Sequence, residues 1–164
     1  MAATYTPIAS ITLGTATAFV TFSSIPSTYT DLVLIVSADV TSAGQNLLLT
    51  FNSDTGSNYS RTFLYGNGSS AVSARSTSQA NIALSEFGGS GSGSHNIINI
   101  MNYANTTTYK SVIQRGGYAS NITAVTAGLW RSTAAITSLT CTAGSSTWIT
   151  GSTFNLYGIL AGNA

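Results

Sequence analysis

Six side chains of this 164-residue chain have the chemistry to move a proton, hold a metal or attack a substrate near neutral pH: His95, Cys141, Asp31, Asp39, Asp54 and Glu86. A Ser-His-Asp relay would have to run through His95, the sole histidine. Serine is so frequent that one beside His95 carries no information, and no Gly-x-Ser-x-Gly elbow presents a nucleophile. His95 also follows the run Gly88–Ser94, which reads as a flexible loop ending in an exposed histidine. A glycosidase needs two carboxylates across a cleft, and none of the four acids stands in a recognisable motif. Asp31, at a strand start, and Asp54, in the turn Asp54-Thr55-Gly56, read as residues that bond nearby backbone. One His, one Cys and dispersed acids give no ligand spacing for zinc or calcium. No catalytic residue, cofactor or metal is therefore expected, and the chain does not read as an enzyme.

Two further patterns suggest binding. Gly66-Asn-Gly-Ser-Ser-Ala71 fits a dinucleotide fingerprint, with Glu86 near the place of a ribose-binding acid. That fingerprint requires a parallel sheet with helical crossovers, which nothing else here suggests, so the segment reads as a hairpin turn. Trp130, Trp148, Tyr103, Tyr109, Tyr118 and Tyr157 could stack on sugar rings, with Arg131 over a ring beside Trp130. Packing in a core or between subunits is the plainer use of the same aromatics.

The elements that would carry these residues are strands. Thr, Val, Ile, Tyr and Phe abound, while the usual surface helix formers Lys, Glu and Gln are scarce. Candidate strands cover residues 9–14, 16–22, 31–38, 46–52, 60–65, 95–103, 109–115, 125–131, 135–142 and 152–160. Turn signals separate them, including Gly66-Asn67-Gly68 and Arg115-Gly116-Gly117. Residues 71–84 could form a short helix or an edge strand. Short strands at this spacing indicate an all-β sandwich or barrel. Residues 1–7 read as an N-terminal arm with Tyr5 as anchor, and residues 8–164 as a single domain. The arm has neither a basic residue nor an apolar stretch, so a secretory leader is not expected. No apolar run is long enough to span a membrane.

Charge is the most unusual property. Nine residues are charged, 5% of the chain against about 25% in ordinary domains, and 25 Ser with 25 Thr supply polarity instead. The net charge of +1, from scattered basic residues, argues against nucleic-acid binding. So little charge offers little repulsion between copies, and the isolated protein is expected to associate.

Several segments in order carry a resemblance. They are Ile25-Pro-Ser-Thr-Tyr-Thr-Asp-Leu-Val-Leu34, Phe51-Asn-Ser-Asp-Thr-Gly-Ser-Asn-Tyr59, Asn102-Tyr-Ala-Asn-Thr-Thr-Thr-Tyr-Lys110, Gly128-Leu-Trp-Arg-Ser-Thr-Ala-Ala-Ile-Thr137 and Gly151-Ser-Thr-Phe-Asn-Leu-Tyr-Gly-Ile159. Together they resemble small virion structural proteins of tailed bacteriophages, over most of the chain and most weakly at residues 69–94. The resemblance implies an antiparallel β-sandwich of jelly-roll type, commonly trimeric, and no catalytic residue. It implies a capsid decoration (cement) protein on the virion surface, with major capsid protein as partner. The alternative is a tail fibre or baseplate module that binds host glycan. On exposure logic the interface candidates are Tyr5, Tyr118, Trp130, Arg131 and Trp148. An exposed cluster of the two tryptophans with Tyr118 would favour the glycan module, and burial would count against it.

Overall fold

A computed structural model describes residues 4–160. Among them are twelve strands and no helix. They are β1 (Thr6–Thr12), β2 (Phe19–Phe22), β3 (Asp31–Ser37), β4 (Gln45–Phe51), β5 (Tyr59–Gly66), β6 (Ala71–Gln79), β7 (Ile82–Phe87), β8 (Ser94–Met101), β9 (Lys110–Tyr118), β10 (Ile122–Trp130), β11 (Leu139–Thr142) and β12 (Thr153–Ile159). They form two antiparallel sheets. The large one runs β1-β12-β3-β8-β9-β10-β5-β6 and the small one β2-β11-β4-β7.

Two hairpins, β5–β6 and β9–β10, hide a simpler pattern. Without them eight strands remain, and they pair from the outside in: β1 with β12, β2 with β11, β3 with β8, β4 with β7. That is one long hairpin rolled into two four-stranded sheets, the jelly roll. The inserted hairpins join each other through β10 and β5 and extend the large sheet beyond β8 as a wing.

Alternation explains which residues face inward. Leu32, Leu34 and Val36 of β3 meet Leu47, Leu49 and Phe51 of β4 and Phe154 and Leu156 of β12 in one buried cluster. Each of these side chains contributes roughly 1.5–3 kcal/mol on burial. Both tryptophans belong to this core. Trp148 packs edge-on against Phe87 at 5.1 Å and Phe154 at 5.4 Å, and its Nε1 donates to Cys141 O at 3.3 Å. Trp130 lies 5.5 Å from Phe51 and stacks on Tyr59 at 6.2 Å. Burial pushes the Cys141 thiol up to about 12, which leaves it an inert core residue.

Several expectations are corrected. In residues 71–84 the helix alternative falls and the edge-strand alternative holds: β6 is the outermost strand of the large sheet, and the stretch ends in the start of β7. Gly116 and Gly117 are no turn; they lie inside β9, opposite Asn96 and Ala124 and opposite His95 and Thr123. A Cβ on Gly116 would sit 2.2 Å from His95 O, and one on Gly117 1.9 Å from Ile122 O, so glycine is required by close approach. The expected strand at residues 135–142 shrinks to β11, because the stretch before it is a loop held by Asn52. Thr6 and Pro7, assigned to the arm, open β1, where Pro is tolerated at a sheet edge. Met1–Ala3 of that arm lie outside the described residues.

Candidate functional site

The residues with chemical potential are dispersed, and most are engaged in holding the backbone. The Asp39 carboxylate accepts from the amides of Gly91 (3.0 Å), Gly93 (3.4 Å) and Ser94 (3.1 Å), and pins the Gly/Ser loop that the sequence left flexible. Asp31 accepts from the Asn102 amide at 2.6 Å, a residue far away in sequence and not a neighbour in a turn. Asp54 does bond its own turn, through Gly56 N, and also takes Asn58 Nδ2 and the Trp130 indole Nε1 at 2.7 Å. The Trp130 bond, with smaller help from Asn58 and Gly56 and against the effect of burial, holds the Asp54 carboxyl below its ordinary range. His95 stands on the outer face of β8 with Nδ1 3.0 Å from Ser37 Oγ. Among the described residues no three of His, Cys, Asp and Glu converge where a metal ion could be held.

The basic residues are spent in the same way. Lys110 is fully buried by exposure; its Nζ donates to Thr108 O (2.7 Å) and Thr133 O (3.2 Å), and burial pushes its pKa down. Arg131 donates to Ser57 O at 3.0 Å and to Tyr59 O at 3.4 Å. Arg61 donates through Nη1 to Ala83 O and lies 4.5 Å above the Phe63 ring. Six of the nine charged residues therefore act as internal ties, leaving Arg75, Glu86 and Arg115.

The consequence is two wide faces almost without charge. One row on the outer face of the large sheet reads Asn155, Ile35, Ile97, Arg115, Val125, Leu64 from strand to strand. The next reads Tyr157, Val33, Asn99, Ile113, Ala127, Thr62. Val125 (49%) and Leu64 (53%) are neighbours on this face and well exposed. On the outside of the small sheet, Phe19, Thr142, Leu48 and Ala83 form one row and Thr21, Thr140 and Thr50 another, with Thr21 and Thr140 hydroxyls 2.9 Å apart. Such hydroxyl and methyl surfaces lose little on desolvation, whereas charged groups lose much.

The wing adds a cleft of about 170 Å³ between β5, β10 and the β7 edge. Arg61, Phe63 and Tyr65 project into it from alternate positions of β5, facing Asn46, Ser85 and Glu86. Its aromatic surface is already in use: the Arg61 guanidinium covers Phe63, which also stacks with Tyr65 at 6.0 Å. Burial pushes the Arg61 pKa down.

The interface candidates from the sequence do not form one patch. Trp130 (2% exposed) and Trp148 (0%) are withdrawn as interface residues, because the core encloses both. Tyr5 is half exposed at the β1 edge, its ring edge-on to Tyr157 at 6.0 Å. Tyr118 closes β9 and takes a bond from Asn121 Nδ2 at 3.3 Å, beside an open depression lined by His95, Gly117 and Thr123. Arg131 follows the far end of β10, about 27 Å away along the strand. What the sequence missed is the outer face of the large sheet. Its signal was present in the outward phase of β8 and β10, but reading it requires knowing which phase points inward.

No family model matches the chain, and no curated protein matches it in sequence. Among solved structures, a protein of unknown function from Shewanella oneidensis MR-1 is 10% identical, with 86% of this chain and 63% of that one covered and a TM-score of 0.22. This chain thus spans less than two thirds of that protein, and a score so low carries no argument about function.

Proposed function

We propose that this protein is a non-enzymatic virion structural protein: a decoration protein that covers seams on a phage head through contacts with the major capsid protein, grouped as a trimer. One observation carries the reading. Six of the nine charges serve as internal ties, so the outer faces are left mostly to uncharged Thr, Asn, aliphatic and aromatic side chains, with Arg115 the one charge in the two rows of the large sheet. A cement must lose its hydration over a broad area, hold without turnover and act in many copies. Weak contacts repeated over a lattice then become effectively permanent. The jelly roll is a frequent solution for capsid domains, although lectins share it. The glycan-binding alternative is the weaker, since burial removes Trp130 and Trp148 as stacking platforms and Tyr118 stands without them.

Immunogold electron microscopy of the parent phage, with antibody against the folded protein, tests the reading. Gold over the head is the expected result. Gold confined to the tail would replace it with the glycan or receptor module.

A further inference from the structure

Each sheet has two edges, and three of the four edges are blunted. β1 carries Pro7, which has no N–H, and a bulge between Pro7 and Ala9. β2 is only four residues long. At β7, Arg61 already donates to Ala83 O and Asn46 Nδ2 to Leu84 O. β6 is irregular only at its far end, where the register slips between Tyr59 and Arg61 and Ser78 has a φ of 55°; residues 71–76 stay regular and open. The strand runs nine residues without proline, seven of them exposed, and Arg75 is its one charge. Among the described residues, no hydrogen bond from beyond β5 reaches the backbone of residues 71–76.

The ladder fixes which groups are open. Asn67 N–H donates to Ser70 O across the hairpin, so bonded pairs recur at Tyr65 with Val72 and at Phe63 with Ala74. The N–H and C=O groups of Ala71, Ser73 and Arg75 therefore point away from β5.

We propose that β6 is a strand-pairing edge whose occupant is the β6 of a second copy, joined antiparallel about a two-fold axis. Two copies have no other matching pair of open edges, and an isologous contact closes at two chains without growing into a fibre. Charge selects the register. An axis through Arg75 would set two guanidinium groups face to face. An axis through Ser73 pairs Ser73 with itself and Arg75 with Ala71, and avoids that repulsion. With the axis through Ser73 the paired stretch is Ala71–Arg75, five residues a side, and so short a ladder buries far less than the roughly 800 Å² per partner of a stable interface, so the dimer is weak and reversible. The trimer proposed above assembles on the shell through different, heterologous surfaces, so the edge would remain free there to link one trimer to another.

Sedimentation equilibrium of the full chain, from micromolar to millimolar concentration, tests this. The mass should climb from 16.8 kDa toward twice that value. Ser73→Pro removes an outward N–H without touching the β5 ladder and should stay monomeric throughout. Ala71→Glu, which faces the partner's Arg75, should tighten the dimer several-fold, and Ala71→Lys should weaken it; both lie at an exposed position and leave folding intact. A constant monomer mass at millimolar concentration would overturn the proposal. So would association indifferent to all three substitutions, whether it comes from another face or from a different register of other strands.

Discussion

Between β3, β4 and β12 the two sheets meet through Leu34, Leu49, Phe51 and Leu156, all at zero exposure. Further along, where β8, β9 and β10 of the large sheet run toward the wing beneath β7, buried polar side chains join the apolar ones: Asn96, Gln114 and Thr126, with Ser85 on β7. The jelly roll is sealed by apolar packing, while the root of the wing is polar and imperfectly satisfied. Gln114 Nε2 donates to Asn96 Oδ1 at 2.6 Å, but Asn96 Nδ2 and Gln114 Oε1 have no partner among the described residues. An orphaned buried polar atom costs about 1–3 kcal/mol, so this pair weakens the root of the wing, and the single orphan Ser152 Oγ weakens the roll beside β12. The wing contributes surface: the exposed Leu64 and Val125, and the open β6 edge. Exposed apolar surface and apolar core are thus divided between regions.

The sharpest way to break this contrast is to truncate one aromatic in each region. Trp148→Ala should cost about 3–5 kcal/mol in urea unfolding, as for other buried aromatics. Phe63→Ala, in the half-open wing, should cost about 1 kcal/mol. Equal losses would mean that the wing is as tightly packed as the roll.

A smaller effect concerns the tie between the two halves, Asp54 with Trp130. Asp54→Ala should destabilise by about 1–2 kcal/mol at neutral pH, less than a fully buried bond because solvent reaches the carboxylate. The folded pKa lies below the ordinary 3.8, so the tie contributes in full above that value. Its contribution disappears as pH falls through the lowered folded value. Urea midpoints measured down the acid range should therefore converge for the wild type and Asp54→Ala. A gap that persists in strong acid would show that the variant fails for another reason.

The smallest expected change has the opposite sign. Replacing both members of the orphaned pair, Asn96→Leu with Gln114→Leu, should leave stability unchanged or raise it by about 1 kcal/mol, because two unsatisfied atoms disappear together. A clear loss in the thermal midpoint would show that the polar root carries stability after all.

The same division explains what the sequence made legible. Strands of the roll announced themselves through one-sided alternation, as in Val20 and Phe22 of β2, or through the two-sided apolar run of β3. β6 gave no period, because both its faces are exposed and neither needs apolar residues. β10 alternates too, but its inward phase is Ala124, Thr126, Gly128 and Trp130, small or polar except at the end. Trp130 therefore looked like a surface aromatic, whereas the register places it in the core. Gly116 and Gly117 imitated a turn because glycine serves turns and close strand approach alike. The charge-poor character of the surface was visible from composition. That six charges would be used as internal ties was not, since Asp31 with Asn102 and Arg131 with Ser57 meet only in the folded chain.

The central claim is that the charge-poor faces serve to cover and hold a shell. Its most direct test compares heads assembled with and without this protein for the temperature at which packaged DNA escapes. Heads lacking it should open at a lower temperature, and adding back the purified protein should restore the wild-type value. Identical release temperatures, with the protein shown to be absent from one preparation, would contradict the account.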